Sequence, residues 1–160
     1  MDFPIHIITK SAEETEKLGE DLGNSYSEIG SRTPRVIVCV GDLGSGKTTL
    51  VKGVGKGLGL HGRLLSPTFI IVRRYDLSKV SHLSFLYHLD LYRTQTAQDA
   101  IAIGITEMLA DTDAVTVIEW PDRLERMKIE QPVLVVTLQT RDDGHHDCTI
   151  EMRPFYENAH

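Results

Sequence analysis

Residues 36–50 read VIVCVGDLGSGKTTL, in which an apolar run passes directly into a glycine-rich one. The first five residues are β-branched or apolar and predict a buried parallel strand. The glycines then fit the pattern G-x-x-x-x-G-K-[ST], with Gly41, Gly46, Lys47 and Thr48 at its fixed positions. Backbone N–H groups in such a turn converge on an anion, and a helix beginning near Gly46 adds its positive dipole end. The sequence therefore predicts a phosphate-binding loop between a strand and a helix.

Two side chains of this loop have predicted chemical roles. The Lys47 ammonium would reach the β- and γ-phosphates of a nucleotide, and the Thr48 hydroxyl would ligate magnesium. The alternative is a glycine-rich turn without a ligand, but strand, loop and helix occur in the order that phosphate binding requires. The predicted nucleotide contacts in the loop are Gly41, Asp42, Leu43, Gly44, Ser45, Gly46, Lys47, Thr48 and Thr49.

Length, charge and cysteine content limit the class of protein. At 160 residues, with 41% hydrophobic and 25% charged residues, the chain fits one domain, residues 1–160. The 17 basic and 23 acidic residues give a net charge of −6 without a basic block, which argues against a protein that grips RNA alone. The two cysteines form no C-x-x-C pair, and no signal peptide or membrane-spanning run is found. We therefore expect a reduced, cytoplasmic protein without a membrane segment.

Two further apolar runs, each a predicted strand, end in a carboxylate. Asp90 follows the first and Glu119 the second. In phosphate-loop proteins, such a carboxylate contacts magnesium or orients water, so both are candidates for catalysis and, with Thr48, for the metal. For Asp90 the alternative is an ion pair with Arg93. Trp120, the only tryptophan, either belongs to the core or packs over this site.

Five polar residues are additional candidates for nucleotide contact, each with a structural alternative. Thr68 lies before an apolar strand, where nucleotide switches place a hydroxyl near magnesium and the γ-phosphate; the alternative is a proline-containing turn. Thr9, Ser11 and Thr15 would lie near the base, or else form the cap and solvated face of the first helix. Arg141 opens a predicted hairpin turn, where it would line a base pocket or face solvent.

The remaining pattern predicts an α/β fold. Strands are predicted at 5–8, 70–75, 133–138 and 148–152, and the last two would form an antiparallel hairpin. The helix after the phosphate loop contains three glycines, and close packing on the sheet is the expected reason. These are Gly53, Gly55 and Gly57.

Four blocks together resemble a single family. GDLGSGKTTL, SPTF, YHLDLYR and IEWPDRL occur in this order between Gly41 and Leu124 and resemble the TsaE (YjeE) family, the ATPase component of bacterial tRNA threonylcarbamoyladenosine biosynthesis. The resemblance implies a P-loop NTPase-type α/β fold, with a mainly parallel sheet flanked by helices. It also implies ATP and Mg²⁺ as cofactors, and hydrolysis to ADP and phosphate that is weak without partner proteins.

The resemblance also implies partners and site residues. TsaB and TsaD would install N6-threonylcarbamoyl on the adenosine next to the anticodon, and contact with tRNA would be mainly indirect, as the acidic balance suggests. The family's polar amino-terminal segment, which contacts nucleotide, falls on residues 9–15. Its loop falls on residues 41–49, and its other functional positions fall on Thr48, Thr68, Asp90, Glu119 and Trp120.

Two other function classes share the phosphate loop. In a small-molecule P-loop kinase, Arg123 and Arg126 would be lid arginines that neutralise the transferred phosphoryl group. No acceptor-binding motif stands beside the loop, and the SPTF and LDLYR blocks would be unexplained. A GTP-dependent switch would need a source of guanine selectivity, and the sequence contains no N-K-x-D motif.

Overall fold

The computed structural model of the chain describes residues 3–27, 33–62, 70–124 and 129–155. Strands and helices alternate through most of these ranges, as the sequence predicts. Two short 3-10 helices, Leu91–Arg93 and Pro121–Leu124, each come after a strand, the first directly after Asp90 and the second one residue after Glu119. The elements are β1 (Ile5–Thr9), α1 (Ala12–Asn24), β2 (Val36–Val40), α2 (Lys47–Gly57), β3 (Val72–Asp76), β4 (Phe85–Asp90), α3 (Ala97–Ala102), α4 (Ile105–Ala110), β5 (Ala114–Glu119), β6 (Ile129–Thr140) and β7 (His146–Phe155).

The strands form one mixed sheet in the order β1-β7-β6-β2-β5-β4-β3. The four strands β6, β2, β5 and β4 are mutually parallel, and β6 and β7 form the predicted hairpin. The α/β class is therefore confirmed, with additional antiparallel strands at both edges. At one edge, β3 and β4 are joined by only a short connection, which permits an antiparallel pair but is too short for a parallel crossover.

The parallel centre of the sheet brings the predicted functional segments together. Strands β2, β4 and β5 run in the same direction, so their carboxyl ends lie at one edge. The phosphate loop follows β2, while Asp90 and Glu119 are the last residues of β4 and β5. Ligands of open parallel sheets bind outside this edge.

Local signals place the first helix and the third strand. The Ser11 hydroxyl accepts the N–H of Glu14 at 3.2 Å, which confirms Ser11 as the N-cap of α1. The Glu14 carboxylate accepts from the backbone of Lys10 at 2.7 Å instead of from Ser11, so the reciprocal bond of the capping box is shifted by one residue. Strand β3 begins later than predicted, because Ile71 has φ = 66° and interrupts the extended backbone.

Two of the three glycines of α2, Gly53 and Gly57, pack against α1, which corrects for them the expectation that they pack on the sheet. A Cβ atom on Gly53 would collide with the carbonyl oxygen of Glu16, and one on Gly57 would lie 2.7 Å from the Cα of Gly23. Gly19 has the same kind of contact, with the backbone of α2. The two helices therefore approach to backbone contact, which only glycine allows.

Each face of the sheet carries a hydrophobic cluster. Leu22 of α1 and Leu50 and Val54 of α2 are buried against one face, and Ala100 of α3 and Ile105 of α4 against the other. The tightly packed α1–α2 pair thus supports the loop from which α2 begins. Of the helices that the structure describes, none has the length and apolarity needed to cross a bilayer.

Candidate functional site

A cavity of about 270 Å³ lies at the carboxyl edge of the parallel strands. Its lining combines the phosphate loop with the ends of β4 and β5. Nine of its ten residues are among those that the sequence singles out, and Tyr92 is the tenth. The lining residues are Leu43, Gly44, Gly46, Lys47, Thr48, Thr49, Asp90, Tyr92, Glu119 and Trp120.

The backbone of the loop has the geometry of an anion site. Gly46 is the N-cap of α2 with φ = 97°, a conformation that residues with a Cβ atom rarely adopt. Because this cap contributes no side chain, the first N–H groups of α2 are left for a ligand. Gly41 lies against strand β6, and a Cβ atom there would collide with the carbonyl oxygen of Leu138. The start of α2 therefore presents N–H groups and the positive end of the helix dipole to an anion.

Lys47 holds a positive charge inside this loop. Its side chain is buried, and Nζ donates to the carbonyl oxygens of Gly41 at 2.7 Å and Asp42 at 2.8 Å. The same nitrogen lies 3.9 Å from the centroid of the Trp120 ring. Burial lowers the pKa of Lys47, while the negative charge of Glu119 opposes that shift. The ammonium is thus positioned by weak acceptors and an aromatic face, which a phosphate oxygen can replace with a stronger interaction.

The two carboxylates lie side by side. Asp90 and Glu119 are partners in the parallel pairing of β4 and β5, so their side chains share one face of the sheet. Both are buried. The Thr48 hydroxyl donates to the two carboxylate oxygens of Glu119 at 2.9 and 3.1 Å, and Asp90 Oδ1 accepts the backbone N–H of Tyr92 at 3.1 Å. The loop hydroxyl and a strand-end carboxylate therefore meet at one point.

This donor set fits a magnesium ion. Thr48, Asp90 and Glu119 present hydroxyl and carboxylate oxygens, the hard ligands that Mg²⁺ prefers. Magnesium commonly takes only one or two protein carboxylates and completes its shell with phosphate oxygens and water. The residues present at this edge of the sheet can therefore hold the ion together with a nucleotide.

Trp120 has both of the roles that the sequence left open, as a core residue and as a residue that packs over the site. Its ring packs against the hydrophobic cluster on the α3–α4 face and also lines the cavity. The Tyr92 ring lies 5.0 Å away, centroid to centroid, at an interplanar angle of 52°. Trp120 has φ = 60°, an uncommon conformation for a bulky residue, directly after Glu119. The two rings form an apolar wall beside the carboxylates.

The three amino-terminal candidates do not line the cavity. The hydroxyls of Thr9 and Thr15 are 2.7 Å apart and both residues are buried, while the Ser11 hydroxyl caps α1. Thr15 lies beneath the loop, since its methyl group would be 3.4 Å from a Cβ atom on Gly46. The described contacts of these hydroxyls are with the protein, and their contact with nucleotide stays a prediction.

The other two polar candidates also lie apart from the lining. Arg141 is in the β6–β7 turn, where it forms ion pairs with Asp143 at 3.6 Å and Asp147 at 3.7 Å, and its side chain is 44% exposed. Its environment is that of the solvated turn, and a role in binding a base stays a prediction. Thr68 lies outside the described residues.

Sequence reasoning missed two residues at this site. His88 is buried, and its Nε2 lies 2.7 Å from Glu119 Oε1. The Tyr92 ring packs against the Trp120 ring at a tilted angle. One signal was available for His88: it precedes Asp90 by two residues in an apolar strand and therefore lies on the same face. Its partner, 31 positions further along the chain, could not be read from that spacing.

A family model matches most of the chain. Residues 9–148 match the model described as "Threonylcarbamoyl adenosine biosynthesis protein TsaE". The chain belongs to the TsaE family. This confirms the resemblance that the four sequence blocks indicate.

Individual relatives agree with this assignment. A TsaE protein of Treponema pallidum is 37% identical over 145 residues, which cover 89% of this chain and 97% of that protein. A TsaE protein of Nostoc is 37% identical over 159 residues, with coverages of 97% and 89%. Both are named tRNA threonylcarbamoyladenosine biosynthesis protein TsaE. A third, from Synechocystis, is 42% identical over 96 residues, or 58% of this chain and 57% of that protein.

A solved structure shares the fold. The crystal structure of Bacillus subtilis YdiB superposes with a TM-score of 0.71 at 27% identity, and the match covers 95% of this chain and 87% of YdiB. The P-loop NTPase-type architecture of this TsaE-family chain therefore has a counterpart at the level of the whole fold.

Proposed function

We propose that this chain, acting as one domain, binds ATP with Mg²⁺ and hydrolyses it as part of the machinery that forms N6-threonylcarbamoyladenosine in tRNA. The observation that carries the proposal is the contact between Thr48 of the phosphate loop and Glu119 at the end of β5. It joins a phosphate-binding element to a buried carboxylate, which is the pairing that nucleotide hydrolysis needs. Membership of the TsaE family supplies the biological setting.

Binding of the triphosphate follows from the loop. The first N–H groups of α2 would cradle phosphate oxygens. Lys47 Nζ would leave the carbonyl oxygens of Gly41 and Asp42, which it contacts at 2.7 and 2.8 Å, and donate to the β- and γ-phosphates. Charge-assisted hydrogen bonds to phosphate are stronger than those to neutral carbonyls, so the exchange favours the bound state.

The chemical step would use the two carboxylates differently. Thr48 and Asp90 would hold magnesium, which when bound neutralises charge on the phosphates. The Asp90 side chain is the shorter one and is fixed by the N–H of Tyr92, which suits a place close to the metal. Glu119 reaches further and would orient the attacking water and accept its proton. The Tyr92–Trp120 wall would limit the entry of bulk water.

The partners we propose are TsaB and TsaD proteins. The net charge of −6 and the lack of a basic block argue that tRNA is reached mainly through such a complex, not gripped by this chain. Hydrolysis would then be weak in the isolated chain and would increase when the partners order the site.

A nucleotide panel with and without a TsaB–TsaD pair tests this function. We expect ATP-dependent phosphate release that the pair stimulates, and co-purification with the pair that differs between ATP and ADP. A phosphorylated small-molecule acceptor would instead indicate a kinase. Hydrolysis of GTP in preference to ATP, or a lack of any nucleotide-dependent association, would contradict the proposal.

A further inference from the structure

His88 is buried in the middle of the sheet and contacts the carboxylate to which the proposed function gives the chemical step. Its Nε2 lies 2.7 Å from Glu119 Oε1, and the two side chains are each 2% exposed. In the parallel pairing of β4 and β5, Asp90 is opposite Glu119, and His88 is one step back along β4 on the same face. Strand geometry thus sets the imidazole and both carboxylates side by side.

Only one of the two ring nitrogens of His88, Nε2, has a described polar contact. Within the part of the chain that the structure describes, His88 Nδ1 is buried and has no hydrogen-bond partner. A side chain that only filled the core would lose nothing by being apolar at this position, because burial of an unpartnered polar atom costs free energy. The hydrogen bond from Nε2 to Glu119 is therefore the contact that accounts for a histidine here.

The Glu119 carboxylate is held from two directions that differ in rigidity. Thr48 donates to it from the phosphate loop, at 2.9 and 3.1 Å. His88 contacts it from β4, which is paired to β3 on one side and to β5 on the other. The Thr48 hydroxyl would also be needed as a metal ligand, whereas the proposed function gives His88 no other contact to make. When nucleotide and magnesium bind, the hydrogen bond between His88 and Glu119 can therefore stay unchanged, while that between Thr48 and Glu119 would not.

We infer that His88 is a positioning residue, which fixes the orientation of the Glu119 carboxylate while the Thr48 hydroxyl serves the metal. This inference rests on the proposed function, because it assigns the chemical step to Glu119. Groups that hold a functional side chain from a rigid element typically change affinity or activity by about 10- to 100-fold when removed. His88 itself would not touch the nucleotide.

Three substitutions separate positioning from simple packing. The amide nitrogen of glutamine in His88→Gln can occupy the place of Nε2 and donate to Glu119, whereas that of asparagine in His88→Asn is one methylene too short. His88→Leu removes the donor and keeps an apolar side chain. In crystal structures with ADP and Mg²⁺ bound, where the Thr48 hydroxyl would serve the metal, we expect Glu119 to keep its orientation only in His88→Gln, with a hydrogen bond of about 2.9 Å. An unchanged Glu119 conformation in both His88→Leu and His88→Asn would overturn the inference.

The kinetic readout uses the protein with its TsaB–TsaD partners. We expect His88→Leu and His88→Asn to lower the single-turnover rate of ATP hydrolysis by about 10- to 100-fold, with ADP affinity within about threefold of wild type. His88→Gln should restore the rate to within about threefold. Equal losses in His88→Gln and His88→Asn, or an equal loss of rate and ADP affinity, would overturn the inference. If His88→Leu fails to fold, the Gln and Asn variants decide alone.

Crystal structures of the His88 variants test this inference independently of the proposed function. If the wild-type protein binds ATP but releases no phosphate with its partners, the proposed function fails. The orientation of Glu119 in the variant structures then still decides whether His88 positions it.

Discussion

Two buried regions adjoin helix α2, and they differ in side-chain chemistry: one consists of charged and polar side chains, the other of glycines. At its amino-terminal end, Lys47, His88, Asp90 and Glu119 are all buried, although charged and polar groups are costly to remove from water. Along its length, α2 contacts α1 through glycines that have no side chain at all. The first region holds reactive groups in fixed positions. In the second region, glycines without side chains allow the backbones of α1 and α2 to come into contact.

This difference separates function from stability. Buried ionisable groups add little to folding, because desolvation offsets most of their attraction. Each helical glycine weakens its helix by up to about 1 kcal/mol relative to alanine, so the α1–α2 contact must supply the compensating energy. Substitutions in the site should therefore change chemistry in a folded protein, and substitutions in the glycine contact should unfold it.

The largest effect is expected from Gly53→Leu. The Cβ atom would collide with the carbonyl oxygen of Glu16, a backbone atom that cannot move without shifting α1. We expect a loss of roughly 4 kcal/mol or more in the free energy of unfolding, measured by urea denaturation. Lys52→Leu, at an exposed position of the same helix, is the matched control and should stay within about 0.5 kcal/mol of wild type. Equal stability of the two variants would contradict the proposed packing role.

Lys47→Ala should have the next largest effect, on binding and not on folding. Removing the ammonium that faces the loop should lower ATP affinity by about 100-fold, since hydrogen bonds to charged groups contribute about 1.5–3 kcal/mol. Isothermal titration calorimetry measures it, and Lys52→Ala on the exposed face of α2 is the control. Binding of ATP by Lys47→Ala at near wild-type strength would remove Lys47 from the site.

Thr48→Ala sharpens the assignment of the metal. Loss of the hydroxyl should reduce the magnesium-dependent part of nucleotide affinity by about tenfold, because this hydroxyl is an oxygen ligand of the loop and contacts Glu119 directly. Magnesium titrations of nucleotide binding provide the measurement. Thr48→Ser retains the hydroxyl and should behave as wild type. An identical magnesium response in the Ala and Ser variants would count against a metal role.

Arg141→Ala should have the smallest effect. The arginine is largely paired with two exposed carboxylates in a turn, and such surface pairs contribute little. We expect ATP affinity within about twofold of wild type and no change in the preference for ATP over GTP. A clear loss of that preference would show that the turn does reach the base.

Features that arise locally could be predicted from sequence. The phosphate loop, the N-cap at Ser11 and the carboxylates that end β4 and β5 each depend on a few neighbouring residues. Strand direction then brings the loop and the carboxylates to one edge, because parallel strands end together.

Features that need a distant partner could not be predicted in this way. Gly53 and Gly57 of α2 are explained by the backbone of α1, more than 30 residues earlier in the chain. His88 acquires its role from Glu119 on a neighbouring strand. Likewise, the mutual hydrogen bond of Thr9 and Thr15 depends on how β1 and α1 meet beneath the loop. Residue type and spacing predict nucleotide contact for these hydroxyls, but they do not predict the contact that the two make with each other.

The division of labour between the two strand-end carboxylates is the central claim. Glu119→Gln and Asp90→Asn keep the size of each side chain and remove its charge, so they can be compared directly. The measurement is single-turnover ATP hydrolysis, paired with equilibrium ATP binding, in the presence of TsaB and TsaD. We predict that Glu119→Gln binds ATP within about threefold of wild type but hydrolyses it at least about 100-fold more slowly, while Asp90→Asn is impaired in both. Hydrolysis by Glu119→Gln at the wild-type rate, or complete loss of its ATP binding, would contradict this account.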